Sequence, residues 1–343
     1  MNAVAHLVED TLAEYGALTR DALKAYLPNR EPRRFLWDLV ADYPSRGGKM
    51  LRPSLCIAAA RAFGASAEKA VRTAVSLELL HNALLVHDDI EDESLERRGQ
   101  QALHVKHGIP LAINVGDTLT LLSLAPLLDN IRVIGAERSL DVLREFEHVG
   151  RETAEGQALE LGWRAENNCA VSADDYLLMV LKKTCWLTTI LPVRLGALIA
   201  AGRRVDRDRF FRFGFFLGAA FQIHDDVLNL EAQDVYGKER DGDLWEGKRT
   251  LVLIRLHALS STQDRGRIET ILAAPREQKQ PADIRWLRER IDALACLEHT
   301  RHYAMGIAGA ARAEFEAAFQ GIPPSRDRDF ILALTQWAFE RER

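Results

Sequence analysis

Two stretches decide how this chain is read. The first is Leu77-Glu-Leu-Leu-His-Asn-Ala-Leu-Leu-Val86, followed at once by His87-Asp88-Asp89-Ile90-Glu91-Asp92. An apolar run with helical spacing ends in four carboxylates. Asp88 and Asp92 stand at i and i+4, so on a helix they share one face. Like charges there repel, and acidic side chains at a helix C-terminus oppose the macrodipole. Such an arrangement calls for a cation. Hard carboxylate oxygens suit Mg²⁺, which keeps water and phosphate oxygens in its shell. The second stretch, Phe221-Gln-Ile-His-Asp225-Asp226-Val-Leu-Asn229, repeats the pattern: a long apolar helix, an acidic pair, and an oxygen at i+4.

Working outward, apolar residues recur at three and four positions through 69–87, 110–128, 139–163, 174–201 and 207–230. Convincing alternating strands are missing, and no Asn-Gly or Asp-Gly pair joins two alternating runs as a hairpin would. Gly214-Phe-Phe-Leu-Gly-Ala-Ala-Phe221 is apolar all round, as in the middle of a bundle. The expectation is an all-α fold, a single large bundle of long helices around a central cavity. The 343 residues are 47% hydrophobic, enough for a sizeable core. No linker composition marks a seam, so one domain is expected over 1–343.

Composition excludes several classes. The net charge is −5 with signs mixed, and no basic face suggests a nucleic-acid partner. Cys56, Cys169, Cys185 and Cys296 are widely spaced, which argues against zinc and disulfides. Reduced thiols fit a cytoplasmic location. The first ten residues are too polar for a signal peptide, and no stretch reaches about 18 uninterrupted apolar residues, so no transmembrane segment is expected.

Basic residues stand beside the acidic clusters. Lys49 and Arg52 follow Gly47-Gly48, and Arg97-Arg98 lie just past the first cluster. Lys182-Lys183-Thr184 interrupt an apolar helix, and Lys238 and Lys248 lie in the glycine-rich loop after the second cluster. Arginine suits bidentate phosphate contacts and lysine point-charge contacts. Two carboxylate clusters interleaved with such cations make a diphosphate clamp.

These motifs together resemble the trans-prenyl diphosphate synthase (polyprenyl synthetase) family. The resemblance rests on Gly47-Gly48-Lys49-Met-Leu-Arg52-Pro53, on Asp88-Asp89-Ile-Glu-Asp92 with Arg97-Arg98-Gly99, and on Gly156-Gln157-Ala-Leu-Glu160-Leu. Lys183-Thr184, Phe221-Gln222 through Asn229, Gly237-Lys238 and Asp243-Leu-Trp-Glu-Gly-Lys248-Arg-Thr250 complete it, in order over residues 45–255. It implies head-to-tail condensation of isopentenyl diphosphate with an allylic diphosphate, three Mg²⁺ ions held by Asp88, Asp92 and Asp225, and a homodimer. Lys49, Arg52, His81 and Arg98 would bind isopentenyl diphosphate. Arg97, Lys183, Thr184, Gln222, Lys238 and Lys248 would bind the allylic substrate, with Lys183 also acting in catalysis.

Asn229 replaces the usual Asp of the second motif, as in some C20-forming members. Residues one and two turns before Asp88, namely Ala83, Leu84 and Leu80, with Ser76 deeper, are expected to line the product tunnel. Ala83 is small and Leu84 is not aromatic, which points to geranylgeranyl diphosphate as product. A terpene cyclase, a non-catalytic regulatory subunit, and synthases stopping at C15 or running to C25 and beyond are the alternatives.

Overall fold

A computed structural model describes residues 3–231 and 241–340 of the protein. The expected long helices are all present. They are α1 (Ala3–Leu23), α2 (Leu51–Ala62), α3 (Ala67–Glu91), α4 (Ile109–Leu122) and α5 (Ala136–Ala165). Residues 173–201 form one continuous helix, α6, and Phe211–Glu231 forms α7. The sequence after these builds α8 (Leu251–Leu259), α9 (Thr262–Ala273), α10 (Pro281–Ala293), α11 (Cys296–Ala318) and α12 (Arg326–Glu340).

α6 is the axle of the bundle. Every residue from Cys185 to Ile199 is buried, and α2, α5 and α7 pack around it. That burial accounts for its all-round apolar sequence. Residues 173–204 and 109–134 are each long and apolar enough to cross a membrane by length and composition. The first is 89% buried in the core, whereas the second is only 39% buried.

Glycines allow the closest approaches. A Cβ at Gly156 of α5 would stand 2.2 Å from the Lys183 backbone nitrogen, and one at Gly196 of α6 would stand 2.5 Å from the Cys56 carbonyl of α2. Residues 181–190 of α6 are wound as a π-helix. Within it Lys183 faces Asp88, while Lys182 pairs at the surface with Glu152 and Glu155.

The chain ends are tied together. The Tyr15 hydroxyl of α1 donates to Asp327 of α12, and Arg61 of α2 donates to the other oxygen at 2.9 Å. A second apolar cluster, from Leu244 through α8, α9 and α10 to Cys296, fills the C-terminal part.

One expectation is corrected. A two-residue hairpin, Glu96–Arg97 against Gln100–Gln101, interrupts the helical chain. Its turn is Arg98-Gly99, with φ of 55° and 72°, both left-handed. Such turns normally use Asn-Gly or Asp-Gly, and an arginine in that place gives no hairpin signal in the sequence.

Candidate active site

The ends of α3 and α7, the N-terminus of α2, and α5 and α6 enclose a cavity of about 1040 Å³. Asp88 and Asp225 both line it, so the two acidic motifs face one space. So do Lys49, Arg52, His81, Arg97, Arg98, Lys183, Thr184, Gln222 and Lys248. Lys238 lies outside the described residues.

At one pole carboxylates and cations are paired. Lys183 Nζ stands 3.0 Å from Asp88 Oδ1 and also bonds Glu160. Burial alone would lower the Lys183 pKa, but Asp88 and Glu160 outweigh it and hold the lysine raised and charged. Arg97 spans Asp88, at 3.4 Å, and the wholly buried Asp89, to which Nε donates at 2.8 Å. Tyr43 donates to Asp89 from the other side at 2.5 Å. Arg97 therefore fixes the first motif from below as well as facing the cavity.

Asp92 is at the end of α3 but does not open into the cavity. Its carboxylate is buried between Arg164 and Lys248, each at 2.6 Å. Lys248 is held charged against burial by Asp92 and Glu246. In the second motif Asp226 accepts from Tyr176 at 2.6 Å and from Gln222 at 2.8 Å. Burial first, and the neighbouring Asp225 charge as a lesser cause, push it up to about 6. Thr184 donates to Gln222 at 3.0 Å. The Asn229 side-chain oxygen accepts the backbone N–H of Asp243 at 3.0 Å, so this residue caps the loop behind the motif.

At the other pole cations predominate. Arg52 donates to Thr188 at 2.8 Å and lies 3.2 Å from His81 Nε2. Burial pushes Arg52 down to about 10, with Glu78 opposing and Arg98 adding to the shift. Burial also lowers Arg98, whose guanidinium donates to the Tyr43 carbonyl at 3.0 Å and lies against Gly48. His81 is kept uncharged by burial and by Arg52, Arg98 and Arg97. Lys49 lies over the rings of Phe221 and Trp337. Glu78 is the buried carboxylate between Arg52 and Arg98. Two lowered guanidinium groups beside one carboxylate make a pole that favours an anion.

The residues expected along the tunnel fall in different places. Leu84 lines the cavity; Ala83 and Leu80 do not. At about 100° per residue, Ala83 stands about 140° round α3 from Asp88, whereas Leu84 stands about 40° away. Ala83 consequently packs towards α4 with Val86, Ala112 and Val115, and Leu80 joins the main core. The apolar wall facing Leu84 is Gly150, Thr153 and Ala154 of α5 with Leu187 of α6. Glu160, Arg164 and Tyr176 are further residues that sequence reasoning did not single out. Glu160 lay inside a quoted motif, and Arg164 is one turn beyond it; Tyr176 carries no local signal.

The polyprenyl synthetase family model matches residues 34–291, three-quarters of the chain and all of the cavity motifs. The chain belongs to the polyprenyl synthetase family. A geranylgeranyl diphosphate synthase from Methanosarcina mazei is 38% identical over 68% of this chain and 70% of its own. The crystal structure of a Caulobacter crescentus polyprenyl synthase, complexed with calcium and isoprenyl diphosphate, superimposes with a TM-score of 0.83 at 29% identity, covering 99% and 97% of the two chains. A Corynebacterium glutamicum geranylgeranyl pyrophosphate synthase, complexed with isoprenyl diphosphate and magnesium, gives 0.82 at 25% identity over 99% of each. The family fold is the all-α isoprenoid synthase fold, as found here. This family member is a prenyltransferase that elongates prenyl chains. The regulatory-subunit alternative is thereby set aside.

Proposed function

We propose that this synthase condenses isopentenyl diphosphate with allylic diphosphates in a Mg²⁺-dependent reaction that stops at geranylgeranyl diphosphate. The observation that carries the reading is the two-pole cavity: carboxylates interleaved with lysines at one end, under-compensated arginines at the other. The donor set fits Mg²⁺. Asp88 and Asp225 offer hard oxygens to the cavity, while the Asp92 oxygens are paired with Arg164 and Lys248. Among the described residues no three carboxylate, histidine or cysteine side chains gather closely enough to hold an ion alone. Diphosphate oxygens and water would complete the shell of each ion, three ions per site in our reading. Bound Mg²⁺ supplies charge neutralisation to the leaving diphosphate.

The chain's own residues do the rest. Lys183, Lys248 and Arg97, together with Lys238, hold the allylic diphosphate, while Thr184 and Gln222 lie alongside. As its C1–O bond breaks, the electron pair leaves with the diphosphate, whose charge these cations stabilise. Arg52, Arg98, Lys49 and His81 hold isopentenyl diphosphate beside the allylic carbon. The isopentenyl double bond attacks C1, and a proton passes from C2 of that unit to the departed diphosphate. Leu84, Leu187 and the α5 wall keep water from the cation. The small side chains at Gly150 and Ala154 leave room for a C20 tail.

The decisive test is to supply purified protein with Mg²⁺, isopentenyl diphosphate and each allylic primer in turn and to size the products. A protein that cyclises an allylic diphosphate and leaves isopentenyl diphosphate unconsumed would refute the reading. Arg98→Ala should raise the KM for isopentenyl diphosphate more than that for the primer.

A homodimer is part of the proposal. Ile109, Ile113, Leu121, Leu124, Leu128 and Ile131 are 40–70% exposed along one stretch, an apolar face that a second copy would cover. Light scattering should give twice the monomer mass, and Leu128→Glu should halve it; a monomeric wild type would end the idea. Four free, buried cysteines support a cytoplasmic location.

A further inference from the structure

Lys279 stands in the segment between α9 and α10, in a region with no family motif. It is buried, at 5% exposure, and among the described residues its ammonium bonds backbone carbonyls rather than a carboxylate. A buried ammonium is costly unless its protons are used. Its Nζ lies 2.6 Å from the Trp245 carbonyl and 3.2 Å from the Leu244 carbonyl. Those carbonyls belong to the last turn of the short helix Gly242–Glu246, and burial, with Arg164, Arg249 and Arg276 nearby, pushes the lysine down to about 8.

The chain then turns through Gly247, at φ 70°, and delivers Lys248 to Asp92. A Cβ on Gly247 would stand 2.9 Å from the Leu272 carbonyl and 3.1 Å from Lys279 Nζ, so the turn is seated directly on α9 and on the lysine. Arg249 grips the same turn beside the lysine, its Nη1 3.5 Å from that Cβ position. It bonds the Gly247 carbonyl, the Asn168 carbonyl at 3.2 Å and the Asn167 side chain at 2.7 Å.

We infer that Lys279 is a positioning residue for prenyl transfer: by holding the carbonyls of Leu244 and Trp245 it fixes the turn that aims Lys248 into the diphosphate clamp. It touches no substrate and acts through Lys248. This rests on the reading of Lys248 as an allylic diphosphate ligand.

The test is a double-mutant cycle on the full-length protein with Mg²⁺, a saturating second substrate and far-UV circular dichroism as a folding control. Lys248→Met should raise the allylic KM and lower kcat, which checks the clamp reading by itself. Lys279→Met should raise the allylic KM about tenfold, the scale of one charge-assisted hydrogen bond. It should leave the isopentenyl diphosphate KM within twofold, and Lys279→Arg should restore most of the loss. In the Lys248→Met background, Lys279→Met should cost nothing further. An equal loss in both backgrounds, or an unchanged allylic KM in Lys279→Met, would overturn the inference while leaving the clamp intact. A Lys248→Met enzyme with a wild-type allylic KM would overturn the clamp assignment and the inference with it. If Lys279→Met does not fold, Lys279→Gln, which keeps a donor and loses the charge, takes its place in the cycle with the same outcomes.

Discussion

Among the described residues Asp88 pairs with Lys183 and Arg97, and each has a second carboxylate to fall back on, Glu160 and Asp89. Removing Asp88 therefore strands no buried charge. Asp88→Ala should leave the helical signal and the unfolding midpoint near wild type while turnover falls about a thousandfold, the scale of several kcal/mol of lost charge stabilisation. Asp225→Ala should lose turnover on the same scale, and near-normal turnover in either variant at saturating Mg²⁺ would contradict the clamp. Product length is also decided residue by residue. Leu84→Phe projects an aromatic ring into the cavity and should move the main product from C20 towards C15. Ala83→Phe overfills the α3–α4 contact instead, costing about 1–3 kcal/mol of stability without shortening the product. Chromatography of the products from both variants separates a wall residue from a packing residue. The helical angle that distinguishes them could be computed from sequence, but which neighbour each face met could not.

Between elements, the contact of α5 with the π-wound part of α6 sets where Lys183 stands. Gly156→Ala would place a methyl group 2.2 Å from the Lys183 nitrogen and 2.7 Å from its Cα. Backbone at both points has to shift, so stability should fall by about 1–3 kcal/mol and kcat should fall with it. Gly150→Ala, six residues earlier on the same helix, meets nothing within 4 Å. It should raise the urea midpoint, since alanine is favoured in a helix by about 1 kcal/mol. Equal responses from the two variants would show that the close approach is not what matters. The helices themselves were legible because their apolar spacing is long and regular. The 96–101 hairpin was not, because two-residue strands have no period and its turn is carried by a left-handed arginine. That turn sends Arg97 inward to Asp89 and Arg98 towards Gly48. Two adjacent arginines thereby serve opposite poles, a division assigned by motif and explained by the turn.

On the scale of the whole molecule, the two chain termini share one buried carboxylate. Asp327→Ala leaves the Tyr15 hydroxyl buried without its acceptor and releases Arg61, which should cost about 1–3 kcal/mol in urea unfolding. Turnover at 25 °C should be unchanged, because α1 and α12 are joined there away from the cavity. A loss of activity without loss of stability would contradict that separation. The acidic and basic motifs announce themselves because charged residues in apolar helices are conspicuous. Lys279 does not, since its partners are backbone carbonyls and no residue type marks them. The C-terminal helices consequently looked like packing alone, although they seat the loop that carries Lys248.

The imbalance between the two ends of the cavity extends to the solvent. The aspartate end is already neutralised by its own lysines and arginines, whereas the Arg52–Arg98 end is left with surplus positive potential. Small dianions in an assay buffer should lodge at that end first. Sulfate should behave as a competitor of isopentenyl diphosphate and leave the primer KM nearly untouched, so ionic composition becomes a kinetic variable as real as substrate concentration. Competition against the primer instead would place the surplus at the opposite end.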